Sequence, residues 1–426
     1  MTLMNLSMAA RPGASQRILG ANDRIGIGLI GAGSMGRNDL ARFLESKQVD
    51  VIAIADPYEP HLQLGIGMTF GAAKGYKDFR HVLDSKQVDA VVIATPEHWH
   101  AIPMIMACQA GKDVYAEKPL SHTIYEGQRM VAAAKKYQRV VQVGTQQRSG
   151  EHFKQATELV RSGKIGKVTS ADTWLYGNSW PSGIGNPPDG DPPPWLDWDM
   201  WLGPAPYHVY NPNRCILQFR TFWDSGGGAL TDWGAHLIDV IHWAMGVDAP
   251  TSVTAMGGKY ALEDNRETPD TLDVLYEYPT SPVSGKAFIV KFSYRNVNAH
   301  RPDGHAYGTQ FYGTEGTLFI DRNGFSLSRE NSSAVITGTA TTPREESALS
   351  QPHVMNFLEC MRSRGKTNSD IETMHRSTSA PLIGNIAYRL GRKLRWDRDA
   401  EKFIGDPEAN ERLTKQYRKP WQLPEG

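Results

Sequence analysis

Three clusters in this chain have residue types and spacings that can do chemistry. Gly31-Ala32-Gly33-Ser34-Met35-Gly36 has the pattern G-x-G-x-x-G. Glu117-Lys118-Pro119 places a single ammonium group before a proline. Asp232 and His236 stand four residues apart, just after the triple glycine 226–228. The first pattern can hold a phosphate on backbone amides. An ammonium can hydrogen-bond a reacting oxygen, and a neighbouring acid and imidazole can move a proton near neutral pH.

A lone G-x-G-x-x-G is weak evidence. This one follows the apolar run RIGIGLI and opens a helix candidate, which is the context that binds a dinucleotide. Gly31 permits the tight turn, Gly33 lets a pyrophosphate approach the backbone, and Gly36 lets helix and strand pack closely; Ala32, Ser34 and Met35 complete the turn. Asp56 ends the next strand candidate roughly 20 residues further on, where a carboxylate bonds the adenosine ribose hydroxyls. That carboxylate repels a 2′-phosphate, so NAD rather than NADP is expected. Arg37 and Arg42 read as surface arginines.

Ligands on a doubly wound sheet lie beyond the carboxyl ends of its strands. Two further strand candidates end in ATPEHWHA and AEKPL, so Thr95, Pro96, His98, His100, Glu117 and Lys118 are expected to face the cofactor. The His98-x-His100 pair lacks the further ligands that a metal requires, and no metal site is expected. If the segment around 232–239 is helical, Asp232, His236 and Asp239 share a face. The triple glycine before it permits close backbone approach to a ligand. Eight of the 11 tryptophans fall between Trp174 and Trp243. Most are expected to be packing anchors, with one or two touching ligand.

The elements that must position these groups follow from periodicity. Between residues 24 and 145, the short Val- and Ile-rich runs RIGIGLIGAG, DVIAIAD, DAVVIATP, DVYAEKP and RVVQVGTQ alternate with helix candidates such as 38–46 and 125–137. That alternation predicts a doubly wound parallel sheet of the Rossmann kind, an α/β fold. A helix candidate at 151–162 leads into VTSADTWLYG, and a Pro-, Gly- and Trp-rich stretch follows at 180–213. Beyond a helix near 234–245, the segments PTSVTAMGG, TLDVLYEY, KAFIVKFSY, YGTQFYG and GTLFID read as antiparallel strands, and 377–394 as helix. The expectation is a nucleotide domain at 24–145 and an α+β domain at 146–426 with a large open, mainly antiparallel sheet.

Composition narrows the functional class. Lys+Arg and Asp+Glu both total 46, leaving no basic surplus for nucleic acid or for an anionic membrane. No apolar run reaches the roughly 18 residues of a spanning helix, so no membrane partner is expected. The three cysteines are far apart and suggest no disulfide framework. Residues 1–23 read as an N-terminal arm. A cytoplasmic protein is the expectation, or a periplasmic one if that arm is the remnant of an export signal.

In this order, GAGSMG, Asp56, ATPEHWHA and AEKPLS resemble the glucose–fructose oxidoreductase/inositol dehydrogenase (Gfo/Idh/MocA) family, from about Arg24 to the C-terminal helix. The E-K-P tripeptide is that family's most specific signature, and its catalytic lysine implies Lys118. The Asp-x-x-x-His spacing is similar to the inositol dehydrogenase branch, which implies catalytic roles for Asp232 and His236. The resemblance implies oxidation of a secondary alcohol on a sugar, glycoside or cyclitol. His236 would take the hydroxyl proton, Asp232 would orient the imidazole, and Lys118 would bond the reacting oxygen; Arg148, in GTQQRSG, is a further substrate-pocket candidate. It also implies a homo-oligomer formed through the C-terminal sheet. Two rivals stay open: a redox-neutral glycosidase or lyase acting through a transient keto-sugar, and a non-catalytic NAD-binding protein.

Overall fold

The computed structural model describes residues 23–340 and 347–426. The N-terminal arm read from the sequence therefore lies, but for Asp23, outside the described residues. The first sheet has six parallel strands: β1 (Ile25–Ile30), β2 (Val49–Ala55), β3 (Lys74–Tyr76), β4 (Ala90–Ile93), β5 (Asp113–Ala116) and β6 (Val141–Val143). Their order is β3-β2-β1-β4-β5-β6, so the sheet reverses between β1 and β4, where such folds form their ligand crevice. Every residue of β1, β4 and β5 is buried, because helices cover both faces. Ile25, Ile27 and Leu29 pack with Phe43 on one face; Val91 and Ile93 pack with Met104 and Ile105 on the other. The helix Ile124–Lys136 starts on a reciprocal cap in which Thr123 accepts from the Glu126 amide and Glu126 returns the bond.

One cover of this sheet comes from far along the chain. Helix Ser347–Ser363, which by sequence position falls in the second domain, sends Val354, Phe357 and Leu358 into the core of the first. The last residues return there too, with Trp421 edge-on to Trp99 at 4.7 Å.

The second sheet has ten strands: β7 (Val168–Tyr176), β8 (Ser252–Gly258), β9 (Thr271–Tyr278), β10 (Phe288–Arg295), β11 (Tyr307–Gly313), β12 (Gly316–Asp321), β13 (Gly324–Arg329), β14 (Val335–Thr339), β15 (Leu394–Asp397) and β16 (Lys402–Phe403). The order is β14-β13-β12-β11-β7-β10-β9-β8-β15-β16. It is antiparallel except where β7 meets β10 in parallel, so the sheet is mixed. Strict alternation of buried and exposed residues along β9 marks its two faces. One face packs on helices Glu151–Arg161, Gly234–Met245 and Ile371–Leu390. The other leaves Met256, Leu275 and Ile289 exposed.

The C-terminal helix differs from the span 377–394 expected above. Asp370 caps its start by accepting from the Thr373 amide, and Gly391 ends it at a φ of 65°. A left-handed residue at that point suits glycine and stops the helix, and the chain passes into β15.

Candidate functional site

The first site lies at the carboxyl ends of β1, β2 and β4. Gly31 holds a φ of 91°, and a Cβ there would come within 2.7 Å of the Ala94 carbonyl carbon. A Cβ at Gly36 would overlap the Gly31 carbonyl oxygen, so the opening turn of helix Ser34–Glu45 sits directly on the strand end. Gly33 faces the opposite situation: nothing approaches its Cβ position more closely than the His61 ring at 3.9 Å. That leaves bare backbone and a helix N-terminus open to a cleft, a cradle that a side chain would fill and that fits a dinucleotide's pyrophosphate.

Asp56 stands beside this turn. Its Oδ2 accepts from the Ala32 amide and its Oδ1 from the Tyr58 amide, each at 2.8 Å. Burial raises its pKa to about 6, against the pull of those amides and of Arg37. Burial also lowers His61, 3.8 Å away, to about 4, so the two form no charge pair near neutrality.

Of the residues expected at the cofactor, Gly31, Gly33, Ser34, Met35, Asp56, Thr95 and Pro96 line this cleft. Ala32 and Gly36 frame it. His98, His100 and Glu117 do not reach it, because each is buried beneath it in contacts that hold the loops. His98 Nε2 lies 3.1 Å from the Trp201 carbonyl. His100 stands between the carbonyls of Pro119 (2.7 Å) and Thr95 (2.8 Å), and a neutral imidazole can donate to only one of them. Burial holds both imidazoles below their ordinary pKa. Glu117 accepts from the Lys118 amide at 3.2 Å and packs on Gly144. His100 thus ties the cleft floor to the loop that carries Lys118.

The catalytic-type residues converge from both domains. Lys118 Nζ donates to the Asp232 carboxylate, and lies 3.2 Å from the Asp232 carbonyl oxygen. Arg220 Nε lies 3.4 Å from the same carboxylate, and Arg220 also lines the cofactor cleft. Burial pushes the Asp232 pKa up, but Lys118 and Arg220 outweigh it and hold the group below the ordinary carboxylate value. His236 is 3% exposed. Burial, together with the charges of Lys118 and Arg322, depresses its pKa well below the usual histidine range. Its Nδ1 is buried without a hydrogen-bond partner among the described residues.

This arrangement corrects two expectations. Asp232 does not orient His236: helices Gly228–Asp232 and Gly234–Met245 meet at Trp233, and the Asp232 carboxylate turns onto the two cations instead. Arg148, expected in a substrate pocket, is committed to a carboxylate instead. It forms a bidentate pair with Asp239, both bonds at 2.8 Å, and Ser377 donates to the same carboxylate at 2.6 Å. Asp239 is 1% exposed and needs a cation once it is buried.

The sequence reading missed Glu97 and Arg220. Glu97 sits within the ATPEHWHA motif, is 3% exposed, and accepts from Thr231 at 3.2 Å. Burial and the nearby Asp232 charge raise its pKa to about 7. Arg220 belongs to a short turn, Gln218–Thr221, with no local pattern to mark it. Among the tryptophans, Trp198 and Trp201 stack at 5.0 Å in a small core with Leu196 and Phe219, and Trp201 also lines the cleft.

Comparison with known proteins bears on the family and the fold. Residues 25–145 match the family model described as oxidoreductase family, NAD-binding Rossmann fold. Residues 153–268 and 329–423 match that of the oxidoreductase family's C-terminal alpha/beta domain. The rhizopine catabolism protein MocA of Rhizobium meliloti is 24% identical over 294 residues, 69% of this chain and 77% of that protein. Levoglucosan dehydrogenase in complex with NADH and levoglucosan shares the fold, with a TM-score of 0.66 at 18% identity over 87% of this chain and 98% of that one. So does the WlbA dehydrogenase from Bordetella pertussis in complex with NADH and UDP-GlcNAcA, with a TM-score of 0.65 at 18% identity over 88% and 99%.

Proposed function

The chain belongs to the Gfo/Idh/MocA family of oxidoreductases, and from that premise we propose that it is an NAD-dependent dehydrogenase acting on a secondary hydroxyl of a sugar, glycoside or cyclitol. The observation that carries this reading is the meeting of Lys118 with Asp232, one residue from each domain, beside Arg220, which lines the cofactor cleft. Gly31, Gly33, Ser34, Met35 and Asp56 would hold the dinucleotide, whose nicotinamide accepts hydride when bound.

The remaining work falls to side chains of this chain. Lys118, steadied by Asp232, donates to the substrate oxygen and stabilises negative charge as it develops there. Asp232 serves the lysine, and Arg220 shares its carboxylate. His236, kept neutral by burial and by neighbouring cations, takes the hydroxyl proton. The carbohydrate preference is supported by the sugar ligands named for the two solved relatives. The exposed apolar residues on the outer face of the ten-stranded sheet support pairing of two copies there.

The test is NADH formation across a matched panel of sugars, glycosides, inositols, short alcohols and 2-hydroxy acids. A site that bonds several hydroxyls loses about 1–3 kcal/mol for each one a ligand lacks, so simple alcohols should be poorer by orders of magnitude. Preference for simple alcohols or hydroxy acids would reject the carbohydrate reading. Loss of glycoside without NADH would replace net oxidation by a redox-neutral reaction.

A further inference from the structure

A second cavity, of about 300 Å³, lies behind the loop that carries Lys118. Gly226, whose Cβ position abuts Arg220 and Glu97, lines this cavity, so its backbone lies between the two sites. Its other walls are Trp223, the His122 loop, helix Ile371–Leu390 and the tail at 411–416.

The groups facing it are incompletely satisfied, and in a consistent way. Arg389 lies over the Trp223 ring at 5.1 Å, and among the described residues no carboxylate comes within ion-pair distance of it. The nearby acids are engaged elsewhere. Asp224 meets His208 at 2.8 Å, while Glu267 accepts from Arg214 at 2.6 Å and from the Trp223 amide at 2.8 Å. Arg412 has a buried Nε with no acceptor among the described residues, and its contact with the Glu408 carboxylate is 4.0 Å long. Lys415 is committed to Glu126 at 2.8 Å and to the His98 carbonyl at 3.2 Å, and lies 3.2 Å from His122 Nδ1. Glu411, the remaining acid of the lining, is exposed.

Asn385 supplies the complementary need. It is 7% exposed, and its amide nitrogen donates to the Gly227 carbonyl at 2.7 Å. That bond fixes which way the amide points, and leaves a buried Oδ1 that lacks a donor among the described residues. A buried acceptor without a partner costs about 1–3 kcal/mol, which a ligand hydroxyl would recover. A guanidinium with no carboxylate in ion-pair distance, beside a second whose carboxylate contact is stretched to 4.0 Å, suits an oxyanion held through charge-assisted hydrogen bonds.

We propose that this cavity is a separate binding site for a small hydroxylated oxyanion, a phosphate or carboxylate carried on a carbon skeleton bearing hydroxyl groups. Arg389 and Arg412 hold the anion, Asn385 Oδ1 accepts from a hydroxyl, and the Trp223 ring supplies an apolar wall.

The test uses the full-length chain saturated with NAD, so that the pyrophosphate-binding turn cannot take up the probe. Isothermal titration with inorganic phosphate, and separately with citrate, is run at constant ionic strength. One saturable site per chain is expected. Arg389→Met and Arg412→Met keep the aliphatic stems and should each weaken binding about tenfold or more while NAD affinity holds. Binding of phosphate alone assigns a phosphorylated ligand and binding of citrate alone a carboxylate; either supports the site. No saturable binding of either probe by the parent chain overturns the proposal, as does undiminished binding in both variants. Should a variant fail to fold, crystals of the parent soaked in tungstate decide: density between Arg389 and Arg412 supports the site, and density only elsewhere rejects it.

Discussion

Thr231 donates its hydroxyl to Glu97 at 3.2 Å and so fastens the loop after β4 to the helix that ends at Asp232. Glu97 keeps its proton to about pH 7 in the folded chain, against an ordinary 4.5. The folded state therefore binds more protons than the unfolded one between those values. That stabilisation is complete below about pH 4.5 and is lost as pH rises through 7. A shift of this size corresponds to about 3 kcal/mol. Glu97→Gln should flatten this part of the stability curve, gaining on the parent at pH 8 but not at pH 4. Thermal melts across pH check it; parallel curves would remove Glu97 from the account. Because the Asp232 charge is one cause of the shift, Asp232→Asn should move the Glu97 midpoint down.

Lys118→Ala should lose about 100-fold or more in turnover, the usual scale for one electrostatic group at a reacting oxygen. NAD affinity should hardly change, because Lys118 is not among the residues lining the cofactor cleft. Single-turnover kinetics and a NAD titration separate the two effects. A large fall in NAD affinity at unchanged turnover would move Lys118 to cofactor binding.

Asp56 has two tasks, since the carboxylate that would face a ribose also holds the Ala32 and Tyr58 amides. Asp56→Ser removes the charge and keeps an acceptor. It should raise the NADP-to-NAD efficiency ratio by about tenfold or more. Tighter binding of NADP than NAD by the parent chain would contradict this.

Arg148→Ala should act on stability and leave the substrate KM alone. Removing one partner of a buried ion pair costs about 3–5 kcal/mol, because the other charge stays buried. Asp239, with the bidentate partner gone, keeps only Ser377 among its side-chain bonds. Denaturant melts read the loss, and a raised KM at unchanged stability would return Arg148 to the substrate pocket.

What could be read from the sequence was local. The glycine turn, Asp56 and Lys118 each sit at a strand end, where a few neighbouring residues fix both element and position. The three-residue β3 carries too short a pattern to register. The parallel contact of β7 with β10 was hidden because residue alternation is the same whichever way a neighbouring strand runs. Arg148 was misplaced because its partner lies 91 residues away, and Glu97 was overlooked because the hydroxyl that bonds it lies 134 residues away. Pairings over such distances are set by the packing of domains, which no short window of residues encodes.

The helix Ser347–Ser363 has a further consequence, for the order in which the molecule is made. The parallel sheet is complete by Val143, yet Val354, Phe357 and Leu358, which cover one of its faces, are synthesised only some 200 residues later. At ribosomal rates of about 5–20 residues per second, that face waits tens of seconds for its cover. During that interval the nascent chain presents an apolar surface that chaperones recognise and that promotes aggregation. A fragment ending at Thr145 should therefore bind a hydrophobic dye, and bind less of it when a peptide spanning 347–363 is supplied in trans. A soluble, dye-silent fragment would show that the nucleotide domain matures without its distant helix.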